Sequence, residues 1–331
     1  MYGVCVSSIW LLLYLASASP LAAQNAACFH RILPFSVIDS HRHLVRLSDP
    51  SELDGKLRGK PVKILSIRPN KRPHRIVILL DTSGSMLGDL DGRKWQVARF
   101  AALRIAQANL ENTSLALVLF SNKVSEQIDF SPDSSAVAKR LSAIDADPNF
   151  AKEHIHGKTA MYDAVIFALR MLGSAGFDDT IYAITDGGDN TSKNGYRDVR
   201  DSLVSRGVRF FVTLLGPGEP GLAPPEELNG PQDAAALAAA SGGLVLGPLG
   251  MNRFGKASYN LSKDDFGAIA TSLGDLYMVM SRNDLVEIEL PQTVNKWSSW
   301  RLEFSRGDSA YHKDLLLVYP GDLAPCGADP H

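Results

Sequence analysis

The sequence has no excess of charge of either sign. Its 34 Lys and Arg residues nearly balance 36 Asp and Glu residues, which leaves a formal net charge of -2 over 331 residues. A chain without a strong net charge is not drawn in bulk to nucleic acid or to a membrane surface, so we expect neither as a partner. The hydrophobic share of 45% and the charged share of 21% are typical of a globular protein with a sizeable core.

Cysteine is scarce, since the chain contains only Cys5, Cys28 and Cys326. Cys5 lies in the N-terminal apolar segment, whereas the other two lie near opposite ends of the remaining chain. Three hypotheses stay open for that pair: a disulfide between Cys28 and Cys326, a lipid on Cys28, or two free thiols.

The apolar stretch over residues 9–16 is too short for a comfortable membrane span. Small residues that could form a cleavage site follow it, and no charged residue precedes Arg31. This pattern predicts a signal peptide over residues 1–23, although the usual basic start is missing. We therefore expect an exported protein, which is periplasmic, secreted or on the cell surface. The alternatives are an uncleaved N-terminal anchor or a wrongly chosen start codon.

Two common catalytic motifs are also missing. No Gly-x-Ser-x-Gly elbow surrounds Ser83 or Ser85, and no Gly-rich loop ends in Lys-Ser or Lys-Thr. The sequence therefore gives no indication of a serine hydrolase elbow or of a nucleoside triphosphate loop.

The middle of the chain alternates short apolar runs with amphipathic stretches. The apolar runs are Ile76–Leu80, Leu115–Phe120, Ile181–Ile184, Phe210–Leu215 and Leu244–Leu246. The amphipathic stretches are Trp95–Leu110, Ala136–Ile144, Ala160–Leu172, Arg197–Ser205, Ala234–Ala240 and Asp264–Met280. This alternation predicts an α/β domain with a doubly wound, mostly parallel sheet over residues 75–281.

The two flanks of this domain show the alternation of a half-exposed strand. Val286, Ile288 and Leu290 alternate with glutamates, and Pro61–Ile67 is a weaker strand candidate. We predict a small antiparallel sheet from residues 24–74 and 282–331, the first of which ends in a basic linker. Between the Phe210–Leu215 strand and the next helix, Gly216–Pro231 is rich in Gly and Pro and predicts a long irregular loop.

Five oxygen-bearing side chains fall where buried elements meet loops. Asp81, Ser83 and Ser85 follow the first apolar run, Thr159 opens a helix, and Asp186 ends a later strand. Because ligands bind beyond the carboxyl ends of parallel strands, the fold itself is expected to bring these three segments together. Hydroxyls and carboxylates are hard donors that suit Mg²⁺, Mn²⁺ or Ca²⁺.

The set Asp-x-Ser-x-Ser, Thr and Asp resembles the metal-ion-dependent adhesion site of von Willebrand factor type A domains. The resemblance covers about residues 75–281, and the whole chain looks like exported bacterial proteins that carry such a domain. It implies that Mg²⁺ or Mn²⁺ is bound by Asp81, Ser83, Ser85, Thr159 and Asp186. It further implies that a Glu or Asp of a partner protein takes the open position, with no catalysis and no small-molecule substrate.

Two alternatives remain at this point. The Asp81 and Asp186 segments also resemble the first and last motifs of haloacid dehalogenase-type phosphatases, but Ser83 stands where such an enzyme needs an acidic residue. The other alternative is a scaffold whose metal site is purely structural. Lys158, directly before Thr159, is a departure from the adhesion-site pattern, because a cation there could repel a metal or attract an acidic partner.

Overall fold

The structure is a computed structural model that describes residues 28–40, 43–87, 93–108, 110–131, 135–215, 225–249, 263–305 and 312–328. The predicted signal peptide lies outside these residues. In the part of the chain that is described, no helix has the length and apolar character needed to cross a membrane.

The strands, in chain order, are β1 His30–Ile38, β2 Leu44–Val45, β3 Leu53–Leu57, β4 Lys60–Pro69, β5 His74–Asp81, β6 Thr113–Phe120, β7 Val124–Ser131, β8 Asp179–Thr185, β9 Arg209–Leu215, β10 Val245–Leu249, β11 Asp284–Glu289, β12 Ser298–Phe304, β13 Leu316–Val318 and β14 Asp322–Leu323. The α-helices are α1 Arg93–Gln107, α2 Ser135–Ala146, α3 Phe150–His154, α4 Met161–Leu172, α5 Tyr196–Arg206, α6 Pro225–Ser241 and α7 Lys263–Ser281. Two short 3₁₀ helices cover Pro50–Glu52 and Gly84–Leu87.

The central sheet is mixed and has the strand order β10-β9-β8-β5-β6-β7. All neighbouring pairs are parallel except β6 and β7, which are antiparallel. Alternate residues of β5 enter two different cores: Ile76, Ile78 and Leu80 pack towards α1, α2 and α7, whereas Val77 and Leu79 pack towards α4, α5 and α6. Burial on both faces explains why these strands appear in the sequence as unbroken apolar runs.

The second sheet is antiparallel and contains eight strands, so it is larger than the small sheet that the sequence predicted. Its order is β13-β1-β11-β4-β3-β12-β14, with β2 paired to β1. Both ends of the chain contribute to it, and its own core includes Phe35, Leu57, Ile288 and Trp300. The pattern over β11 matches the predicted alternation, because Val286 and Ile288 are fully buried while the intervening Glu287 is not.

A disulfide joins Cys28, just before β1, to Cys326, just after β14, with 5.3 Å between their Cα atoms. Hydrogen bonds on both sides hold the two segments: Leu290 N donates to Phe29 O at 2.8 Å, and Cys326 N donates to Val294 O at 2.7 Å. Of the three hypotheses for these cysteines, the structure therefore shows the disulfide. A sulfur engaged in this bond cannot also carry a lipid.

The predicted loop Gly216–Pro231 is wrong from Pro225 onwards, because α6 begins there and contains Pro231. Pro225 is well tolerated as the first residue of the helix, where its missing N–H has no intrahelical partner to lose. Farther along, Ala234, Leu237 and Ala238 are buried in the core beside β9. Tertiary packing of this apolar stripe thus outweighs the local preference of Gly and Pro for a loop.

Candidate metal centre

Three segments meet at the carboxyl edge of the central sheet. After β5, Thr82 donates from N and Oγ1 to Phe120 O, at 2.7 and 3.0 Å, which fixes the chain against the end of β6. The segment before α4 then packs on this turn: Gly84 N donates to Gly157 O at 3.0 Å, and His156 N donates to Thr82 O at 3.1 Å. These backbone contacts hold the loop that carries Ser83 and Ser85 beside the loop that carries Thr159.

The third segment, after β8, is tied to the second through Asn190. Thr159 N donates to Asn190 Oδ1 at 3.0 Å, and Asn190 N donates to Thr159 O at 3.0 Å. Nearby, Asp189 Oδ2 accepts from Tyr162 N at 2.8 Å in the first turn of α4, so this carboxylate caps a helix. The fold therefore brings all three predicted segments to one edge of the sheet.

Asp81 lies at the bottom of this cluster and is completely buried. Its Oδ1 accepts from Ser83 N at 2.8 Å, and its Oδ2 accepts from Thr185 Oγ1 at 2.6 Å. Burial, together with the nearby charge of Asp186, raises the pKa of Asp81 to about 7, although the hydrogen bonds act in the opposite direction. The cluster thus contains two buried carboxyl groups whose negative charges repel each other.

The two oxygens of Asp186 differ in their contacts. Its side chain is 1% exposed, and Oδ1 is buried with no hydrogen-bond partner in the part of the chain that the structure describes. A buried acceptor without a partner costs free energy, on the order of 1–3 kcal/mol, so such atoms are uncommon unless they serve a ligand. The other oxygen, Oδ2, is engaged by a lysine described below.

The donor set fits a small divalent cation in chemistry, and one pair of its hydroxyls also has a suitable spacing. Ser83 Oγ and Ser85 Oγ lie 3.1 Å apart, a hydrogen-bond distance. Adjacent oxygens of an octahedral Mg²⁺ site, each about 2.1 Å from the ion, are separated by about 3 Å, so the same pair could also bind one ion. Thr159 is 3% exposed and adds a further oxygen. A cation here would also relieve the repulsion between Asp81 and Asp186.

Sequence reasoning missed Lys94, which enters this cluster from the first turn of α1. Lys94 Nζ donates to Asp186 Oδ2 at 3.0 Å and to Ser85 O at 3.3 Å, and its side chain is 5% exposed. A signal existed in the sequence, because Lys94 lies at helical spacing from Val97, Ala98 and Ala101 on the buried face of α1. A lysine on an apolar face requires a buried partner.

Lys158, the cation that the sequence placed beside Thr159, is exposed to solvent. Two glycines of the motif lie against neighbouring backbone. Gly187 has a φ of +88°, and a Cβ there would lie 2.8 Å from Pro231 N. A Cβ on Gly84 would lie 3.3 Å from Gly157 O. Both glycines therefore permit close packing of backbone around the cluster.

A cavity of about 750 Å³ lies at the other end of the central sheet, between the two sheets. His74 at the start of β5 lines it together with Arg46, Arg72 and Arg282, whereas Asp81 ends the same strand. The cavity is therefore separate from the candidate metal centre.

Among the described residues, no group of three or more His, Cys, Asp or Glu side chains could hold a metal. A metal ion at the candidate metal centre would thus depend on the serine and threonine hydroxyls.

Residues 76–188 match the family model described as von Willebrand factor type A domain. This match, which begins in β5 and ends just after Asp186, supports a domain of this type within the chain. No curated protein matches the sequence.

Solved structures include distant resemblances. An aerotolerance-related membrane protein from Bacteroides fragilis NCTC 9343 shares 16% identity over 62% of this chain and 98% of its own, with a TM-score of 0.41. The conserved hypothetical protein BatB from Bacteroides thetaiotaomicron shares 17% over 62% and 99%, with a TM-score of 0.42. A von Willebrand factor type A structure from Catenulispora acidiphila shares 14% over 88% and 72%, with a TM-score of 0.42. Resemblances of this size carry no information on function.

Proposed function

We propose that this chain is a recognition module that binds a partner protein through a divalent cation, Mg²⁺ or Mn²⁺. Asp81, Ser83, Ser85, Thr159 and Asp186 would hold the ion at the carboxyl edge of the central sheet. An acidic side chain of the partner would complete its coordination. When bound, the ion supplies an electrophilic position for a carboxylate oxygen.

The observation that carries this proposal is Oδ1 of Asp186, which is buried and has no hydrogen-bond partner among the described residues. It belongs to a cluster that also contains Asp81 and the paired hydroxyls of Ser83 and Ser85. Two carboxylates balance the charge of one divalent ion, while neutral hydroxyls donate weakly and leave it electrophilic. Ser85 is only half-buried, unlike Asp81 and Ser83, so the cluster opens to the surface on its side. A partner side chain would approach from there.

Recognition accounts for this geometry better than phosphatase chemistry does. A nucleophilic aspartate must reach the phosphorus atom of a bulky substrate, but Asp81 is completely buried at the bottom of the cluster. Ser83 stands in the position of the general acid, and its hydroxyl is too weak an acid for that role. We therefore propose that the chain is not an enzyme.

Export also belongs to this proposal. A disulfide such as Cys28–Cys326 forms and persists in oxidising compartments, and it is rare in the cytosol. Together with the signal-like N-terminal segment, it supports a periplasmic, secreted or cell-surface protein.

The first experiment measures metal binding by thermal melting with increasing MnCl₂ or MgCl₂. A cation that binds only the folded state, at a hundred times its Kd, stabilises it by about 2.7 kcal/mol. For a chain of this size that corresponds to a rise in Tm of about 5 °C. Asp186→Asn should lose the rise, whereas Asp129→Asn, the same chemical change on exposed β7, should keep it. Equal responses in all three proteins would refute the metal site.

The second experiment tests the acidic partner. Metal-loaded protein is titrated with a short soluble peptide that contains one Glu, and with the same peptide carrying Gln instead. Binding of the Glu peptide alone, abolished by EDTA, is the expected result. Metal binding without any preference for the Glu peptide would instead support a structural metal site. Turnover of a generic phosphomonoester that Asp81→Asn abolishes would revive the phosphatase alternative.

A further inference from the structure

Lys94 lies in an unfavourable position for a cation. It is the second residue of α1, where the positive end of the helix dipole disfavours positive charge. Its side chain is also 5% exposed, although a lysine is rarely buried without a charged partner. One favourable interaction that offsets these penalties is the contact of Nζ with Asp186 Oδ2 at 3.0 Å.

Because of this contact, the two oxygens of Asp186 differ in their hydrogen bonding. Oδ2 accepts from Lys94, while Oδ1 is buried without a partner among the described residues. Lys94 Nζ also donates to Ser85 O at 3.3 Å, so one ammonium group links Asp186 to the loop that carries the serine ligands. Lys94 therefore engages one oxygen of Asp186 and leaves the other available to a metal ion.

The lysine also changes the charge of the loaded site. Asp81 and Asp186 contribute two negative charges, which a bound divalent ion would balance. The ammonium group of Lys94, 3.0 Å from Asp186 Oδ2, adds a positive charge beside this pair. In a site of low dielectric, such a charge repels a metal ion and attracts a carboxylate from outside.

We infer that Lys94 sets the specificity of the site, since its charge weakens the binding of the metal ion and strengthens the binding of an acidic ligand by the loaded site. This inference rests on the proposed function. It makes Lys94 a positioning residue that acts through Asp186 and through charge, because it does not itself ligate the ion. The ligand that the loaded site selects is then a side chain with a single negative charge, in preference to a neutral amide or hydroxyl.

The test uses the full chain and three variants at this position. Lys94→Gln keeps a hydrogen-bond donor without the charge, Lys94→Met fills a similar volume with neither, and Lys94→Arg keeps the charge. The Kd of Mn²⁺ is obtained from the electron paramagnetic resonance signal of the free ion. The Kd of the Glu peptide for Mn²⁺-saturated protein is obtained by calorimetry, with the Gln peptide as the control. Circular dichroism verifies that each variant is folded. The test needs only one of the two neutral variants, Lys94→Gln or Lys94→Met, to fold.

We expect the neutral variants to bind Mn²⁺ at least tenfold more tightly than the wild type and the Glu peptide at least tenfold more weakly. Lys94→Arg should resemble the wild type in both. A neutral variant that binds Mn²⁺ more weakly would show a purely structural role and overturn the inference, as would unchanged values for both ligands. Failure of the wild type to bind Mn²⁺ at all would instead reject the proposed function.

Discussion

Removal of the disulfide between Cys28 and Cys326 should strongly destabilise the protein. The bond closes a loop with a sequence separation of 298 residues, nearly the whole chain. In the chain-entropy description, the stabilisation from a cross-link grows with the logarithm of loop length, and a loop of this size gives about 6 kcal/mol. Native disulfides usually contribute less than this limit, because unfolded chains are already compact. We therefore expect a loss of about 4 kcal/mol.

The structure indicates which segments should open first when the disulfide is removed. The two cysteines join the segments that precede β1 and follow β14, and β1 pairs with β11 while β14 pairs with β12. Both segments belong to the antiparallel sheet. Without the bond, these chain ends should open before the central sheet does, because the central sheet keeps its cores on both faces.

The assay is urea unfolding and thermal melting of a Cys28→Ser/Cys326→Ser double variant, in a background where Cys5 is also serine so that no third thiol can exchange. The control is Cys5→Ser alone. A loss of about 4 kcal/mol corresponds to a fall in Tm of about 8 °C for a chain of this size. Hydrogen exchange should show faster exchange in β1 and β14 than in β5. A change below about 1 kcal/mol, or two free thiols titrated in the non-reduced Cys5→Ser protein, would refute the reasoning.

Three further predictions concern residues of the central domain. Burial and the nearby Arg209 charge lower the pKa of His74 to about 4, so the unfolded state, with a pKa near 6.5, binds the proton first as the pH falls. Stability should therefore drop by about 2 kcal/mol between pH 7 and pH 5 in urea titrations, and His74→Gln should remove that part of the slope. Arg209 is buried and donates to two carbonyls at the end of α7, at 3.0 and 2.7 Å. Arg209→Met should lower the free energy of unfolding by about 3 kcal/mol and raise the pKa of His74, which NMR can measure. Gly187→Ala should lower the free energy of unfolding by at least about 2 kcal/mol in the same assay, because φ is +88° and the new Cβ would meet Pro231. Gly176→Ala is the control and should leave stability nearly unchanged, because nothing lies within 4 Å of its Cβ.

Local pattern was sufficient for the central strands and the convergence of the site segments. Strands β5, β6, β8 and β9 are buried on both faces, so each is an apolar run that is visible without its neighbours. Asp81 and Asp186 end or follow parallel strands, whose carboxyl ends share one edge. The residue types at those positions then limited the chemistry to hard oxygen donors.

Other elements gave no such local signal. Strand β1 contains a proline at position 34, and β3 is only five residues long, Leu53–Leu57. Both are strands because partners from the distant C-terminal part of the chain, β11 and β12, pair with them. Pairing between segments more than two hundred residues apart depends on the whole fold, so the size of the second sheet could not be derived from its separate pieces.

The sequence by itself determined the α/β alternation, the donor types and the edge at which they gather, because hydrophobic periodicity and strand direction are local properties. Tertiary structure alone decided that Cys28 reaches Cys326, that Lys94 engages Asp186, and that one oxygen of Asp186 has no partner in the described part of the chain. Those outcomes depend on how helices and sheets pack against one another, and contacts across long sequence separations are set by that packing.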